Sequence, residues 1–374
     1  MSSRRDFLKH TSAIPLAATI PAVFAGQAMA ATEPQRTFDP NPQNGWRTFD
    51  VTTRVEIDKP HDGVQVWLPL PSVESGYQRS LDDTFSSNGQ ARLASDGKYG
   101  ARMLHAQFEP GQARPYVEVT SRVQTRDRAV DWAKAVSAGN EDPATLAQWT
   151  EPTDLIPTDG IVRSTALRAT RGAADDVAKV RAIYEWIVQN TYREPKVRGC
   201  GEGNVKAMLE SGDLGGKCAD LNALFVGLCR SVGIPARDLY GVRLAPSAFG
   251  YKELGGNSAS LSGAQHCRAE AYLRGHGWVA MDPADVTKVM RQETAQWIKD
   301  SNHPVVAAVH KRLFGCCESN WMAFSSAHDV SLPSAKGAKL GFLMYPVAEN
   351  AGVRLDSYAP DDFRYRITAR EIVG

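Results

Sequence analysis

The sequence contains one cysteine whose surroundings favour chemistry, Cys218. It follows the glycine-rich turn Gly215-Gly216-Lys217 and precedes an apolar stretch that predicts a helix. The apolar residues of that stretch recur at helical spacing: Leu221, Leu224, Phe225 and Leu228. Gly233 and Pro235 end the helix, because glycine readily takes the left-handed conformation found after a helix C-terminus. Cys218 is therefore predicted at a helix N-terminus, where free N–H groups and the helix dipole stabilise a thiolate, and we interpret it as a nucleophile.

Cys229 provides a contrast within the same predicted helix. It follows Cys218 by eleven residues, which corresponds to about 16 Å along a helix axis. Its neighbours are apolar, and no turn lies near it. Cys229 is therefore predicted to be a small buried residue of the core.

A thiol needs a nearby base to act as a nucleophile at neutral pH, and the sequence offers His266. His266 lies on the first strand of a predicted β-hairpin that turns at Gly275-His276, and Asp282 ends the second strand. A carboxylate at Asp282 would fix the tautomer of the imidazole. With a two-residue turn, however, Asp285 would face His266, so Asp285 stays an alternative unless the turn is longer. Cys267 is predicted to point away from His266, because successive residues of a strand face opposite sides.

These residues resemble the transglutaminase-like superfamily, a papain-related group with a Cys-His-Asp triad. The matching blocks follow one another in the family's order: Gly216-Lys217-Cys218, Arg230-Ser231-Val232-Gly233-Ile234-Pro235-Ala236-Arg237, His266 with Glu270 and Tyr272, Gly277-Trp278, and Asp282-Pro283. The resemblance implies that Cys218 is the nucleophile, His266 the base and Asp282, rather than Asp285, its orienting carboxylate. One departure is Arg268, at a position where the family often has tryptophan.

The resemblance covers roughly residues 160–290 and implies an α+β fold, in which the helix that carries the cysteine packs on an antiparallel β-sheet. It implies no obligatory organic cofactor, and the sequence assigns no metal-ligating residue, although an unseen metal stays open. The chemistry shared by the family is a thioester made from an amide and released to an amine or to water. A peptide or protein substrate is therefore expected, with cell-wall peptide as one candidate. The backbone N–H of Cys218 is an expected oxyanion donor.

The start of the chain has the pattern of an export signal. Arg4-Arg5 with Phe7-Leu8-Lys9 precedes a short apolar run, and Ala28-Met29-Ala30 has the small residues of a cleavage site. The pattern resembles a twin-arginine signal over residues 1–30, and we expect cleavage after Ala30 and a location in the periplasm. The alternative is an uncleaved membrane anchor, for which the run is short.

The rest of the chain divides by its hydrophobic pattern. The expected segments are a flexible leader at 31–46, an N-terminal β domain at 47–125, a linker at 126–160, the catalytic core at 161–290 and a C-terminal β extension at 291–374. In the β domain, apolar residues alternate with polar ones, as in Phe49, Val51 and Val55.

The charge balance excludes some partners. The chain has 43 Lys and Arg residues against 42 Asp and Glu residues, which gives no reason to expect nucleic acid or, after signal cleavage, a membrane. Two alternatives to an enzyme that acts on peptide or protein amides stay open. One is a non-catalytic binding or scaffold protein on the same fold, and the other is a small-molecule acyltransferase with the same Cys-His-Asp order.

The other cysteines leave two further alternatives open. An exported protein can form disulfides, and Cys200 could pair with Cys316 or Cys317. A metal site from His310, Cys316, Cys317 and His328 is conceivable but lacks a recognised spacing.

Overall fold

The structure, a computed structural model, describes residues 34–61, 63–134 and 141–373. The predicted export signal and its cleavage site lie outside these ranges. The helices of the described ranges are α1 (Pro143–Gln148), α2 (Gly160–Ala169), α3 (Asp176–Asn190), α4 (Val205–Ser211), α5 (Cys218–Ser231), α6 (Pro283–Gln292), α7 (Ala307–Arg312) and α8 (Pro360–Phe363). Among these residues there is no helix with the length and apolar character of a membrane span.

The strands of the described ranges fall into a first group, β1 (Arg47–Glu56), β2 (Val64–Pro69), β3 (Gln78–Ser87), β4 (Gln90–Ser95), β5 (Arg102–Phe108), β6 (Tyr116–Thr125) and β7 (Arg128–Ala129). The later strands are β8 (Tyr192–Arg193), β9 (Gly215–Gly216), β10 (Ala236–Arg243), β11 (Gln265–Leu273), β12 (Gly277–Met281), β13 (Cys316–Cys317), β14 (Trp321–Ser325), β15 (Val347–Asn350), β16 (Val353–Arg354) and β17 (Tyr365–Ile372).

The helix that begins at Cys218 is the centre of the core. The four residues of the predicted stripe on α5, from Leu221 to Leu228, are fully buried. The helix ends at Ser231, and Gly233 has a φ of +79°, the left-handed conformation that the sequence predicts. Helices α2, α3, α4 and α6 contact α5, and strands β10 and β11 also pack against it. Such enclosure explains why α5 is apolar almost all round.

The sheet beneath α5 is antiparallel and has the strand order β12-β11-β10-β14. Strands β11 and β12 form the predicted hairpin, and β14 adds a neighbour from much later in the chain. The predicted α+β fold, with the cysteine helix packed on an antiparallel sheet, is confirmed.

Two further antiparallel sheets combine strands from the two ends of the chain. The first has the order β17-β1-β6-β3, and the second has the order β16-β15-β2-β5-β4. In β1 the predicted alternation is present, with Phe49, Val51 and Val55 buried. Strands β15 and β17, within the segment expected to form a C-terminal β extension, thus pair with β2 and β1 of the N-terminal segment. The segment expected to be a linker, 126–160, contributes β7 and α1.

Candidate active site

Cys218 is the first residue of α5. The carboxylate of Asp220 holds the chain in front of it, because its Oδ2 accepts the Lys217 N–H at 2.9 Å. The other oxygen, Oδ1, accepts the N–H groups of Glu202 and Gly203 at 2.9 and 3.0 Å. One side chain therefore joins the helix start to the preceding turn, and the predicted N-terminal position of Cys218 is observed.

The turn before α4 approaches Cys218 closely because of one glycine. Gly201 has a φ of +91°, and a Cβ at this position would lie 1.8 Å from a carboxylate oxygen of Asp220. A larger residue is excluded by both effects. Close approach lets the carbonyl of Cys200 accept the N–H of Ala219 at 2.9 Å, which brings Cys200 next to the start of α5.

Three cysteine sulfurs lie together at this point. The Sγ atoms of Cys200, Cys218 and Cys267 are within 4.8 Å of one another, and all three cysteines are free thiols. Cys267 was expected on the face opposite His266, yet its sulfur still reaches Cys218, because the N-terminus of α5 lies against β11. No pattern in the sequence indicates this group of three thiols.

The alternatives considered for the other cysteines are not observed. Cys316 and Cys317 pair with β7 and are free thiols, so neither forms a disulfide with Cys200. Within the described ranges, the Cys and His residues of the conceivable metal site, including His310 and His328, do not come together as one group.

The neighbours of Cys218 stabilise its thiolate. Cys218 is only 3% exposed, and its burial, the largest single influence on its pKa, acts to raise that pKa. Hydrogen bonding from Cys200, Cys267 and His266, together with the positive charge of His266, outweighs burial. The pKa of Cys218 is therefore well below the ordinary value of a thiol.

His266 is held by the carboxylate that the sequence favours. Its Nε2 lies 2.7 Å from Oδ2 of Asp282, and both side chains are buried. The last residue pair of the hairpin joins Ala269 to Met281, because the turn contains three residues, 274–276, rather than two. Asp282 then leaves the strand as the N-cap of α6, and its side chain is free to turn towards His266. The turn is thus longer than two residues, but in this register position 282 would lie opposite Arg268, and the departure from the strand is what brings Asp282 to His266.

Asp285 also contacts His266, but it has a second and stronger partner. Its Oδ2 lies 3.3 Å from Nε2 of His266, while Arg243 donates to both of its oxygens at 2.6 and 2.8 Å. Burial raises the pKa of Asp285, but Arg243 and then His266 lower it well below its usual range. The pKa of Asp282, in contrast, is raised by burial and by the neighbouring Asp285. Asp285 is thus a permanent counter-charge for Arg243.

The two carboxylates favour the charged form of the imidazole. Burial and then Arg243 act to lower the pKa of His266, but Asp285 and Asp282 outweigh them and raise it to about 9. The backbone carbonyl of His266 accepts the indole N–H of Trp321 at 2.9 Å, which fixes this part of β11. Since Cys218 has a lowered pKa, the two groups form an imidazolium and a thiolate at neutral pH.

A cavity of about 1220 Å³ opens over Cys218 and His266. Its walls come from separate parts of the fold, since Arg54 belongs to β1 and Tyr365 to β17. Tyr358, which precedes α8, also lines it. Cys218 is thus almost fully covered by protein and lines the open cavity.

A family model described as the transglutaminase-like superfamily matches residues 163–283. A protein of Haemophilus influenzae, described as uncharacterized, is 34% identical over 342 residues, which cover 87% of this chain and 91% of that protein. The chain belongs to the transglutaminase-like superfamily. A crystal structure from Cytophaga hutchinsonii, described as a candidate cysteine protease, has a TM-score of 0.53 and 15% identity, and the match covers 88% of this chain and 92% of that one. At this identity the similarity concerns the fold.

The glutamate of the superfamily pattern has a structural role in this chain. Glu270 is fully buried and forms ion pairs with Arg128 of β7 and, at 2.7 Å, with Arg237 of β10. Burial acts to raise the pKa of Glu270, but the two arginines outweigh it and lower the pKa to about 2. Glu270 therefore joins the central sheet to β7.

Two buried amides of this transglutaminase-like site were missed by sequence reasoning. Asn222, one turn into α5, donates to the carbonyl of Cys267 at 2.8 Å and lies 3.4 Å from Oδ1 of Asp282. Gln265 lines the cavity beside His266 and is 8% exposed, and its Nε2 has no hydrogen-bond partner among the described residues. Its position next to His266 was the only signal in the sequence.

Proposed function

We propose that this protein is a cysteine hydrolase or acyltransferase that acts on amide bonds of peptides or proteins. In this proposal Cys218 is the nucleophile, His266 is the base and Asp282 orients it. The observation that carries the proposal is that Cys218, at the start of α5, and His266, which is hydrogen-bonded to Asp282, line one open cavity.

The proposed reaction begins with the thiolate. The sulfur of Cys218 attacks the carbonyl carbon of the amide, and the carbonyl oxygen becomes an oxyanion. The C–N bond then breaks as the leaving amine takes a proton from His266, which gives a thioester on Cys218. Water or a second amine, deprotonated by His266, attacks the thioester and releases the product. The bond between Nε2 and Asp282 leaves Nδ1 of His266 as the nitrogen for these proton transfers.

The oxyanion needs hydrogen-bond donors, and two groups suit this role. The N–H of Cys218 donates no hydrogen bond to any described residue, whereas that of Ala219 is already used by Cys200. The side-chain amide of Gln265, with its unpartnered Nε2, is the proposed second donor. Replacing Gln265 by leucine should lower kcat by about tenfold to a hundredfold with little change in KM. An unchanged kcat would remove Gln265 from the mechanism.

The proposed location is the periplasm, reached through the twin-arginine pathway. The support for it is the pattern of residues 1–30 alone. A peptide substrate in that compartment, with cell-wall peptide as one candidate, suits a cavity of about 1220 Å³.

Thiol labelling tests the proposal directly. An alkylating reagent should modify Cys218 fastest, and the apparent pKa of that reaction should rise in the His266→Ala variant. Equal reactivity in both proteins would remove the pair of Cys218 and His266. The acyl adduct of Cys218, trapped from a periplasmic peptide pool and identified by its mass, would name the substrate.

A further inference from the structure

The cavity over Cys218 is lined by positive charge, although the whole chain is close to neutral. Apart from Arg243, which binds Asp285, the Lys and Arg residues that line it are Arg54, Arg193, Lys217, Lys288, Arg364 and Arg366. Glu56 is the one carboxylate among the described lining residues. Since the chain has 43 basic and 42 acidic residues, this excess is local to the cavity and does not follow from composition.

The first group of charges lies on the core side, next to the nucleophile. Lys217 directly precedes Cys218, and Arg193 of β8 is the strand partner of Gly216. Neither Lys217 nor Arg193 has an ion pair with a described carboxylate, although Nε of Arg193 donates to the amide oxygen of Gln292 at 3.0 Å. Burial and then Arg193 lower the pKa of Lys217. The two charges therefore repel each other, and the negative groups that act on Lys217, at Cys218 and Asp220, offset this repulsion only in part.

Lys288 of α6 adds a third charge on this side. It is mostly buried, donates to the carbonyl of Glu253 at 2.6 Å and lies 3.3 Å from the carboxylate of the same residue. Burial and then Arg243 lower its pKa. Glu253 thus offsets one of the three charges on the core side.

The second group forms another wall of the cavity, on the paired strands β1 and β17. Arg54 and Arg366 are direct cross-strand partners, an arrangement in which like charges destabilise a sheet. Arg54 also pairs with Glu56 at 2.8 Å and with Glu118 at 3.4 Å, and Arg364 pairs with Asp58. Arg366 has no ion pair with a described carboxylate, so its charge is the one on this wall that is available to a bound anion.

We propose that the cavity selects an acidic peptide, with carboxylates on both sides of the amide bond that Cys218 attacks. This inference rests on the proposed function for the amide, and on the two cationic walls for the carboxylates. An anion would relieve the repulsion between Lys217 and Arg193 and between Arg54 and Arg366. A peptide is the chosen occupant because the nucleophile between the two walls is suited to an amide.

The experiment compares peptides that differ only in charge. One set has glutamate on both sides of the scissile amide, and the matched set has glutamine at the same positions. At low salt the acidic peptides should have a higher kcat/KM by about tenfold per carboxylate, mainly through KM. The preference should fall as salt rises to 0.5 M, because the walls are partly exposed to solvent. Equal kcat/KM for both sets at low salt would overturn the inference.

Variants assign the preference to the two walls. Lys217→Gln and Arg193→Gln should each reduce the preference about tenfold on the core side, and Arg366→Gln should do so on the other side. Lys206→Gln is the matched control, since Lys206 is exposed on α4 and pairs with Glu210 outside the cavity. A loss in the control equal to that in Lys217→Gln would contradict a local effect.

A binding measurement separates this inference from the proposed function. Fluorescent forms of both peptide sets are titrated into the Cys218→Ala variant, whose folding is checked by thermal unfolding. Preferential binding of the acidic set without turnover by the wild-type protein would support the inference and remove the proposed function. Turnover of both sets at equal rates would do the reverse. Competition by a single-stranded oligonucleotide as strong as that by the acidic peptides would overturn the choice of a peptide.

Discussion

The two ends of α5 each carry a buried cysteine, and their surroundings differ. Cys218, at the N-terminus, has two thiols and an imidazole around it, and its pKa is well below the ordinary value. Cys229, near the C-terminus, is fully buried in the apolar core, and burial raises its pKa far above that value. Both residues are hidden from most of the solvent, so burial alone does not distinguish them. Hydrogen-bond donors and positive charge next to the sulfur make the difference.

The largest difference between the two cysteines should appear when each sulfur is removed in turn. Cys218→Ala should lower kcat/KM about a thousandfold or more, because no other group forms the thioester. Cys229→Ala should leave kcat/KM within about twofold and lower the free energy of unfolding by about 1–2 kcal/mol, because it opens a small void in the core. Activity assays and denaturant unfolding measure the two effects. Retained activity in Cys218→Ala would end the proposed mechanism.

Removing the partners of Cys218 should make it resemble Cys229. His266→Ala should lower kcat by about a hundredfold to ten-thousandfold, because the thiolate loses its imidazolium and the leaving amine loses its proton donor. Asp282→Asn should cause a smaller loss of activity, whereas Asp285→Asn should mainly destabilise the fold, by about 3–5 kcal/mol, because Arg243 stays buried without its counter-charge. Steady-state kinetics and thermal unfolding separate these roles. A greater loss of activity in Asp285→Asn, with stability retained, would make Asp285 the orienting carboxylate.

The pH dependence sharpens the comparison further. The lowered pKa of Cys218 keeps the thiolate present at neutral pH, and activity should fall in acid as the thiolate is protonated. The raised pKa of His266 keeps the imidazolium present until about pH 9, so kcat/KM should fall above that pH. The charged His266 also stabilises the fold fully below pH 6.5, and this contribution is lost as pH rises through about 9. A pH profile of kcat/KM with only the acid limb would contradict this assignment.

The smallest effect concerns the neighbouring thiols. Cys267→Ala removes one hydrogen-bond donor to Cys218, so the apparent pKa of alkylation at Cys218 should rise by up to about one unit. The matched control is Cys316→Ala, because Cys316 lies outside the group of Cys200, Cys218 and Cys267. It should leave the apparent pKa of Cys218 unchanged. Equal shifts in the two variants would show that the neighbouring thiols do not stabilise the thiolate.

Local features of the fold could be read from the sequence. The helix from Cys218 and its end near Gly233 follow from hydrophobic spacing and from glycine chemistry, which act over a few residues. The hairpin with His266 follows in the same way. The length of its turn could not be predicted, because one added turn residue leaves the hydrophobic pattern of the two strands unchanged. The types and order of Cys218, His266 and an aspartate suggested that they act together, but the choice of Asp282 over Asp285 came only from the superfamily pattern.

Contacts between distant segments could not be read from the sequence. The approach of Cys200 to Cys218 depends on Asp220, whose carboxylate binds the turn at Glu202 and Gly203, and no periodicity indicates such a contact. The pairing of β17 with β1 joins segments about 310 residues apart. The hydrophobic pattern of each strand is equally compatible with pairing to a different strand. The cationic lining of the cavity could not be predicted for the same reason, since its residues come from both ends of the described chain.

The pairing of β1 with β17 also sets an order of events during synthesis. Thr48 is opposite Ile372, so the first strand emerges from the ribosome long before its neighbour exists. Until then β1 has a free edge on that side, which is open to pairing with other chains. Tyr365 and Arg366, which enclose the reactive sulfur, belong to this late strand. The pocket over Cys218 is therefore completed only after residues 365–372 have been synthesised and have paired with β1.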